Sequence, residues 1–390
     1  MTTIAATGQL LTHGRLDLAS ARSRRLQAFL SEADCTIGNF EGTVESPGAW
    51  PTKTKTLHLA TPDALNSIRE LGFDAVTHAN NHSFDLGPPG IASTKAAALA
   101  AGLAFGGSGM TIDEAAAPAI VERARKRIAT LAFCLGPQPD IVYASRDRAG
   151  IAPLRMRRAV AMPDAEFEAF RRVASGLGDD LREKNRSRMG YRQEALADDQ
   201  TEVFGAAIRR GSAIAPEWSA HPGDLDAFNS KLAQACSEAD LVVVAVHSHH
   251  WDPDWSRTPK WLHQLACGLI DRGAHMVVGT GSPVVQPVAF HRGRPILGGL
   301  GNLIFHTARS GTYDREGVSV WDSIACRARF NDAGECDELA IMPVVVGRPD
   351  AGPNGLPVGP QAHEGRAAED LFKKTTATLS EEDRGRVRLV

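Results

Sequence analysis

No stretch of this 390-residue sequence is apolar for long enough to cross a bilayer, and its opening residues, Met1-Thr2-Thr3-Ile4-Ala5, lack the basic and apolar regions of a secretory leader. The expectation is a cytoplasmic chain with no membrane partner. Aromatic residues are scarce at 6%, and the net charge is only -3. Nucleic acid is therefore not an expected partner, because there is neither a set of stacking platforms nor a basic footprint. Cysteine is sparse as well. Cys35, Cys134, Cys236, Cys267, Cys326 and Cys336 are scattered, with no CxxC pair. That excludes a disulfide framework and reads as free thiols in a reducing compartment. With 43% hydrophobic and 23% charged residues, what is left is an ordinary globular composition.

The densest chemistry lies in His78-Ala79-Asn80-Asn81-His82-Ser83-Phe84-Asp85-Leu86-Gly87. A strand-like stretch, 73–77, leads into it, and Gly87-Pro88-Pro89 ends it. Two amides, an imidazole and a carboxylate on one turn form a reactive cluster of the kind found at strand ends. An Asx-rich turn capping a helix would use the same residue types. A second cluster, His247-Ser248-His249-His250, follows the apolar strand 241–246, and on a strand His247 and His249 share a face. His250 reads as the start of a polar loop. Trp251 and Trp255 read as partly buried loop anchors. His13, four residues after Gln9, and His306, after Asn302-Leu303-Ile304-Phe305, are further candidates to line a site. His58 has no partner at ligand spacing and reads as a surface or core residue.

Along the chain, residues 1–135 alternate strand and helix patterns, the signature of an α/β sheet. Segments 119–122 and 127–134 read as a hairpin. Residues 155–215 are rich in Arg, Glu, Asp and Ala and read as a helical insertion, either a solvated face or a lid over the site. Helices at 225–238 and 261–272 flank further strands. Segments 284–290, 296–300 and 318–330 read as strands of a second sheet. Residues 1–345 are expected to form one catalytic domain carrying that insertion, followed over 346–390 by a Pro/Gly-rich segment and a polar tail.

In order along the chain stand Gly8; Asn39-Phe40-Glu41-Gly42; Asn80-Asn81-His82 with Asp85 and Gly87; Gly106-Gly107-Ser108-Gly109; the strand ending in His247; Gly279 with Val285-Gln286-Pro287; and Gly299-Leu300-Gly301-Asn302. This series resembles the bacterial capsule-synthesis (CapA, poly-gamma-glutamate synthesis) family, related to calcineurin-like metallophosphoesterases. The resemblance implies an α/β fold, a four-layer α/β/β/α sandwich of metallophosphoesterase type. It implies Glu41, Asn81 and His247 as metal ligands, His82 as acid/base and Asp85 as its partner. Gln9, His13, Asn39, Asn80, His249, Thr280, Ser282 and His306 are expected to line the site.

Two departures from the family pattern bear on chemistry. Gln9 stands where the family has aspartate, and Gly279-Thr280-Gly281-Ser282-Pro283 replaces a stretch with two histidines around a proline. A two-metal phosphoesterase centre needs those groups. The expectation is therefore one divalent cation (Mn, Ca, Mg or Zn) and no ordinary phosphatase chemistry. A metal-assisted acid/base enzyme follows, acting on a small-molecule or peptide substrate that carries an amide, ester or carboxylate, with hydrolysis ahead. The alternatives are proton abstraction next to a carbonyl, as in a lyase or in epimerases related to those of lasso peptides, and a binding protein that has lost part of the metal site.

Overall fold

The computed structural model describes residues 1–390 apart from 55, 124, 138–139, 192–196 and 198. Two compact units result: residues 1–154 with 223–390, and residues 155–222. In the larger unit the parallel strands Thr2–Leu11, Cys35–Phe40, Ala75–Thr77 and Ala104–Gly106 lie side by side in sequence order. Thr2–Leu11 is also flanked by the antiparallel strand Asp322–Phe330 and, at its far end, by the parallel strand Asn302–Phe305. A second, six-stranded sheet has Lys126–Gly136, Leu241–Ser248 and Met276–Thr280 as its parallel centre. The expected hairpin is its edge, Ala119–Arg123 against Lys126–Gly136.

Period-two alternation stacks the layers. Ile4 and Ala6 point from the first sheet to meet Ile128, Val243, Met276 and Val278 of the second in one buried cluster. Ala5, Leu10 and Val76 point the other way, onto Leu26, Phe29, Leu65 and Ile68 of the helices Ala21–Ser31 and Asp63–Glu70. On the far face of the second sheet, Phe228 of the helix Pro222–Glu238 meets Phe133 with ring centroids 4.7 Å apart. This is the α/β/β/α sandwich. Side chains on its parallel strands emerge at the carboxyl ends, where such sheets build sites.

Three expectations change. Val318–Phe330 does not extend the second sheet: its strand, Asp322–Phe330, pairs with Thr2–Leu11 in the first. The unit 155–222 is not simply helical. Its four-stranded sheet (Met156–Met162, Gln200–Val203, Ala206–Arg210 and Ala215–Ala220) accompanies the helices Asp164–Gly176 and Asp179–Arg188. Residues 192–196 and 198 of the expected helical segment lie outside the described residues. Strand pairing is decided by cross-strand packing, which charge-rich composition does not reveal. Finally, the polar tail belongs to the larger unit, because Gln361–Ala362 and Val387–Leu389 both pair with Cys336–Val345. Among the described residues, no helix is long and apolar enough to cross a membrane. The six cysteines are free.

Candidate metal and acid/base site

Strand ends from both sheets supply the site. Gln9 lies on Thr2–Leu11, Glu41 follows Cys35–Phe40, and Asn80-Asn81-His82 follow Ala75–Thr77. The second sheet brings His247 on Leu241–Ser248 and Thr280 at the end of Met276–Thr280. Gly8 allows the first of these approaches. A Cβ there would lie 2.2 Å from the carbonyl oxygen of Gly301, so only glycine lets Gln9 N donate to that oxygen at 3.0 Å and sit in register with Asn302. A cavity of about 320 Å³ opens over these strand ends and is bordered by Gln9, Glu41, Asn81, His82, His249 and Asn302.

One cluster groups side chains that could hold a cation. Ligand atoms of Glu41, His247 and His249 all lie within 4.8 Å of one another. His247 Nε2 is 2.9 Å from Asn81 Oδ1. The amide oxygen of Asn81 thus stands beside the His247 nitrogen that could face an ion. On the other side of the ring, His247 Nδ1 meets Thr280 Oγ1 at 3.1 Å, which fixes its orientation. A carboxylate, two imidazoles and an amide oxygen suit a borderline divalent ion. The residues present therefore fit a divalent cation. At the positions where the family pattern differs, Gln9 Nε2 donates to Glu41 Oε2, Thr280 Oγ1 meets His247, and Ser282 Oγ donates to the carbonyl of Val284 at 2.9 Å.

Beside this cluster stands an acid/base arrangement. His82 Nδ1 is 2.8 Å from Asp85 Oδ2, Lys53 Nζ is 2.7 Å from Asp85 Oδ1, and the backbone N–H of His58 donates to Oδ2 at 2.9 Å. The side chains of Lys53 and Asp85 are 1% and 0% exposed, so the ion pair is fully desolvated. Burial raises the pKa of Asp85, but the hydrogen bonds and charges of His82 and Lys53 outweigh it and leave the pKa lowered. An ionised Asp85 can accept from Nδ1–H of His82, which would leave Nε2 as the nitrogen able to exchange a proton. Lys53 also donates to the backbone carbonyl of Asn81, which links the proton-handling residues to the cation cluster.

The remaining expected residues fall into supporting places. Asn80 is a brace: its Nδ2 donates to the Phe40 carbonyl at 2.7 Å and to Asn39 Oδ1 at 3.3 Å, while its Oδ1 accepts from His82 N at 3.0 Å. His78 spans Ser108 Oγ at 2.7 Å and the Gly42 carbonyl at 2.8 Å. His13 and His306 contact each other, with ring centroids 5.7 Å apart, but do not border the cavity. Sequence reasoning missed Lys53 and misplaced His58. The short pairing of Thr43–Val44 with Leu59–Ala60 carries His58 to 4.1 Å from the ring of His82. Burial, then the charge on His82, pushes His58 down to about 3. Arg309 and Tyr313 on the cavity rim were missed too. Neither Lys53 nor Arg309 stands in a periodic or motif-like context, so no local signal marked them.

A family model described as bacterial capsule synthesis protein PGA_cap matches residues 3–307. The chain belongs to this family. It is similar to the capsule biosynthesis protein CapA of Bacillus anthracis, 30% identical over 303 residues that cover 75% of this chain and 55% of that protein. It is also similar to the PGA biosynthesis protein CapA of Bacillus subtilis (strain 168), 23% identical over 284 residues covering 72% and 56%. The chain thus spans little more than half the length of these relatives. A solved 5'-nucleotidase precursor from Thermus thermophilus overlays with a TM-score of 0.41 at 12% identity, covering 92% of this chain and 56% of that one.

Proposed function

We propose that this PGA_cap family member is a single-cation hydrolase that cleaves an acyl bond, amide or ester, in a carboxylate-bearing substrate. The observation that carries the reading is the buried Lys53–Asp85–His82 series, which ends at a cavity bordered by Glu41 and His249. A divalent cation held by Glu41, His247, His249 and Asn81 would polarise the acyl oxygen as a Lewis acid. His82 supplies the proton chemistry. Nε2 of His82 takes a proton from the water as that water adds to the acyl carbon, the bond to the departing nitrogen or oxygen breaks, and Nε2 delivers the same proton to the departing atom. Asp85 holds the ring in the tautomer this requires, and Lys53 keeps Asp85 ionised.

Charge supports an anionic substrate. Glu41 offsets half of a divalent charge, Lys53 and Asp85 cancel each other, and Arg309 adds a further positive charge at the rim. The relatives' names place them in capsule and PGA biosynthesis, and a carboxylate-rich polymer is compatible with that field. The test is release of amine or alcohol from a panel of acylated glutamyl amides and esters. Replacing His82 with alanine should lower the rate by ~10²-fold or more, with fold and metal content intact, and Asp85→Asn should lower it less. A near-normal rate for His82→Ala would remove the hydrolase assignment.

A further inference from the structure

The two amides beside Glu41 are oriented in one way only, and one of them is left with an unused acceptor. Asn302 is completely buried, and its Nδ2 donates to the Pro283 carbonyl at 3.2 Å. That bond fixes which end of the amide is oxygen. Asn302 Oδ1 has no hydrogen-bond partner among the described residues, although Asn302 borders the cavity. On the neighbouring strand, in register with it, stands Gln9. The nitrogen of Gln9 is committed to the Glu41 carboxylate, so the polar atom it has left is again an oxygen. Asn302 Oδ1 therefore calls for a donor, because a buried acceptor left unmade is unfavourable, and Gln9 on the adjacent strand offers a second acceptor.

We infer that Asn302 and Gln9 form a subsite for the N–H of a peptide-type secondary amide. This rests on the hydrolase reading above and narrows its substrate class. A bare carboxylate brings only acceptors and is repelled there, so a substrate's anionic group belongs at Arg309 instead. An ester brings no hydrogen either. Its bridging oxygen would face Asn302 Oδ1, lone pair against lone pair. The subsite thus sorts amides from esters of the same shape, and it occupies the flank of Glu41 where the family pattern would carry an aspartate in place of Gln9.

The experiment uses full-length protein carrying His82→Ala, so that binding is read without turnover. Calorimetry compares N-acetyl-diglutamate with its depsipeptide, in which an ester oxygen replaces the central N–H. The amide is expected to bind at least ~10-fold more tightly, equivalent to about 1.4 kcal/mol. Adding Asn302→Ala should bring the two compounds to within about twofold, the coupling expected of a direct contact. If the Asn302→Ala chain does not fold, the comparison with Asn302 intact decides alone. Equal binding of the two compounds, binding of neither, or a preference that survives Asn302→Ala would overturn the subsite. So would a second equivalent of Mn²⁺ that disappears with Asn302→Ala, since Oδ1 would then be a cation ligand. Failure of the unsubstituted protein to hydrolyse the amide removes only the hydrolase reading and leaves the binding comparison standing.

Discussion

Replacing Lys53 with methionine removes one half of a buried ion pair and leaves the other half in place. Asp85 and Lys53 approach to 2.7 Å with side chains essentially inaccessible to water. Breaking such a pair from one side costs about 3–5 kcal/mol. Asp85 keeps two other donors, His58 N–H and His82 Nδ1, which places the expected loss near ~3 kcal/mol, a large share of a total stability of about 5–15 kcal/mol. In an Asp85→Asn background there is no carboxylate charge left to neutralise, so Lys53→Met should cost less than about 1 kcal/mol. The acid dependence has a definite sign. Because the folded pKa of Asp85 is lowered, its stabilisation is complete above the ordinary value of 3.8 and is lost as pH falls through the lower folded value. The penalty for Lys53→Met should therefore fade in strong acid. Urea unfolding of the four proteins of the double-mutant cycle, followed by circular dichroism, measures the coupling. An equal cost of Lys53→Met in both backgrounds would refute the reasoning.

Two more outcomes follow from the packing. His78 is held neutral, its pKa lowered to about 4 by burial, while an unfolded histidine titrates near 6.5; stability should fall by about 1.4 kcal/mol per pH unit on this account alone between pH ~6 and ~4, and His78→Asn should flatten that slope in denaturation series taken across the range. Gly8→Ala pushes a methyl group into the Gly301 carbonyl, so it should cost more than ~2 kcal/mol and lower the midpoint of thermal unfolding, whereas an unchanged midpoint would mean the two strands can part there without penalty.

The framework was legible because it is written in local patterns. The strand Leu241–Ser248 is marked by a continuous apolar run and Cys35–Phe40 reads as a short buried stretch, and the polar groups that follow them had to emerge at their ends. Asn81, His82 and His247 were marked in this way, Glu41 by the family resemblance, and the structure brings all four to one place. The sequence does not show what loops deliver. Lys53 reaches Asp85 across 32 residues and His58 reaches His82 across 24, through the chain around Thr43–Val44 and Leu59–Ala60, which carries no periodicity. The sheet to which Asp322–Phe330 belongs depends on its partner, Thr2–Leu11, more than 300 residues earlier, and an apolar run alone cannot choose between two sheets. Orphaned acceptors such as Asn302 Oδ1 become visible only when every neighbour has been placed.

The central claim is that Glu41, Asn81, His247 and His249 hold one cation, and that Gln9, Thr280 and Ser282 do not hold another. It is tested most directly by mass-spectrometric metal analysis of protein reconstituted with Mn²⁺ and then desalted, alongside His247→Ala and His249→Ala with melting curves as controls for folding. The account predicts close to one equivalent per chain, lost in both folded variants. Two equivalents in the unsubstituted protein, or none, would contradict it.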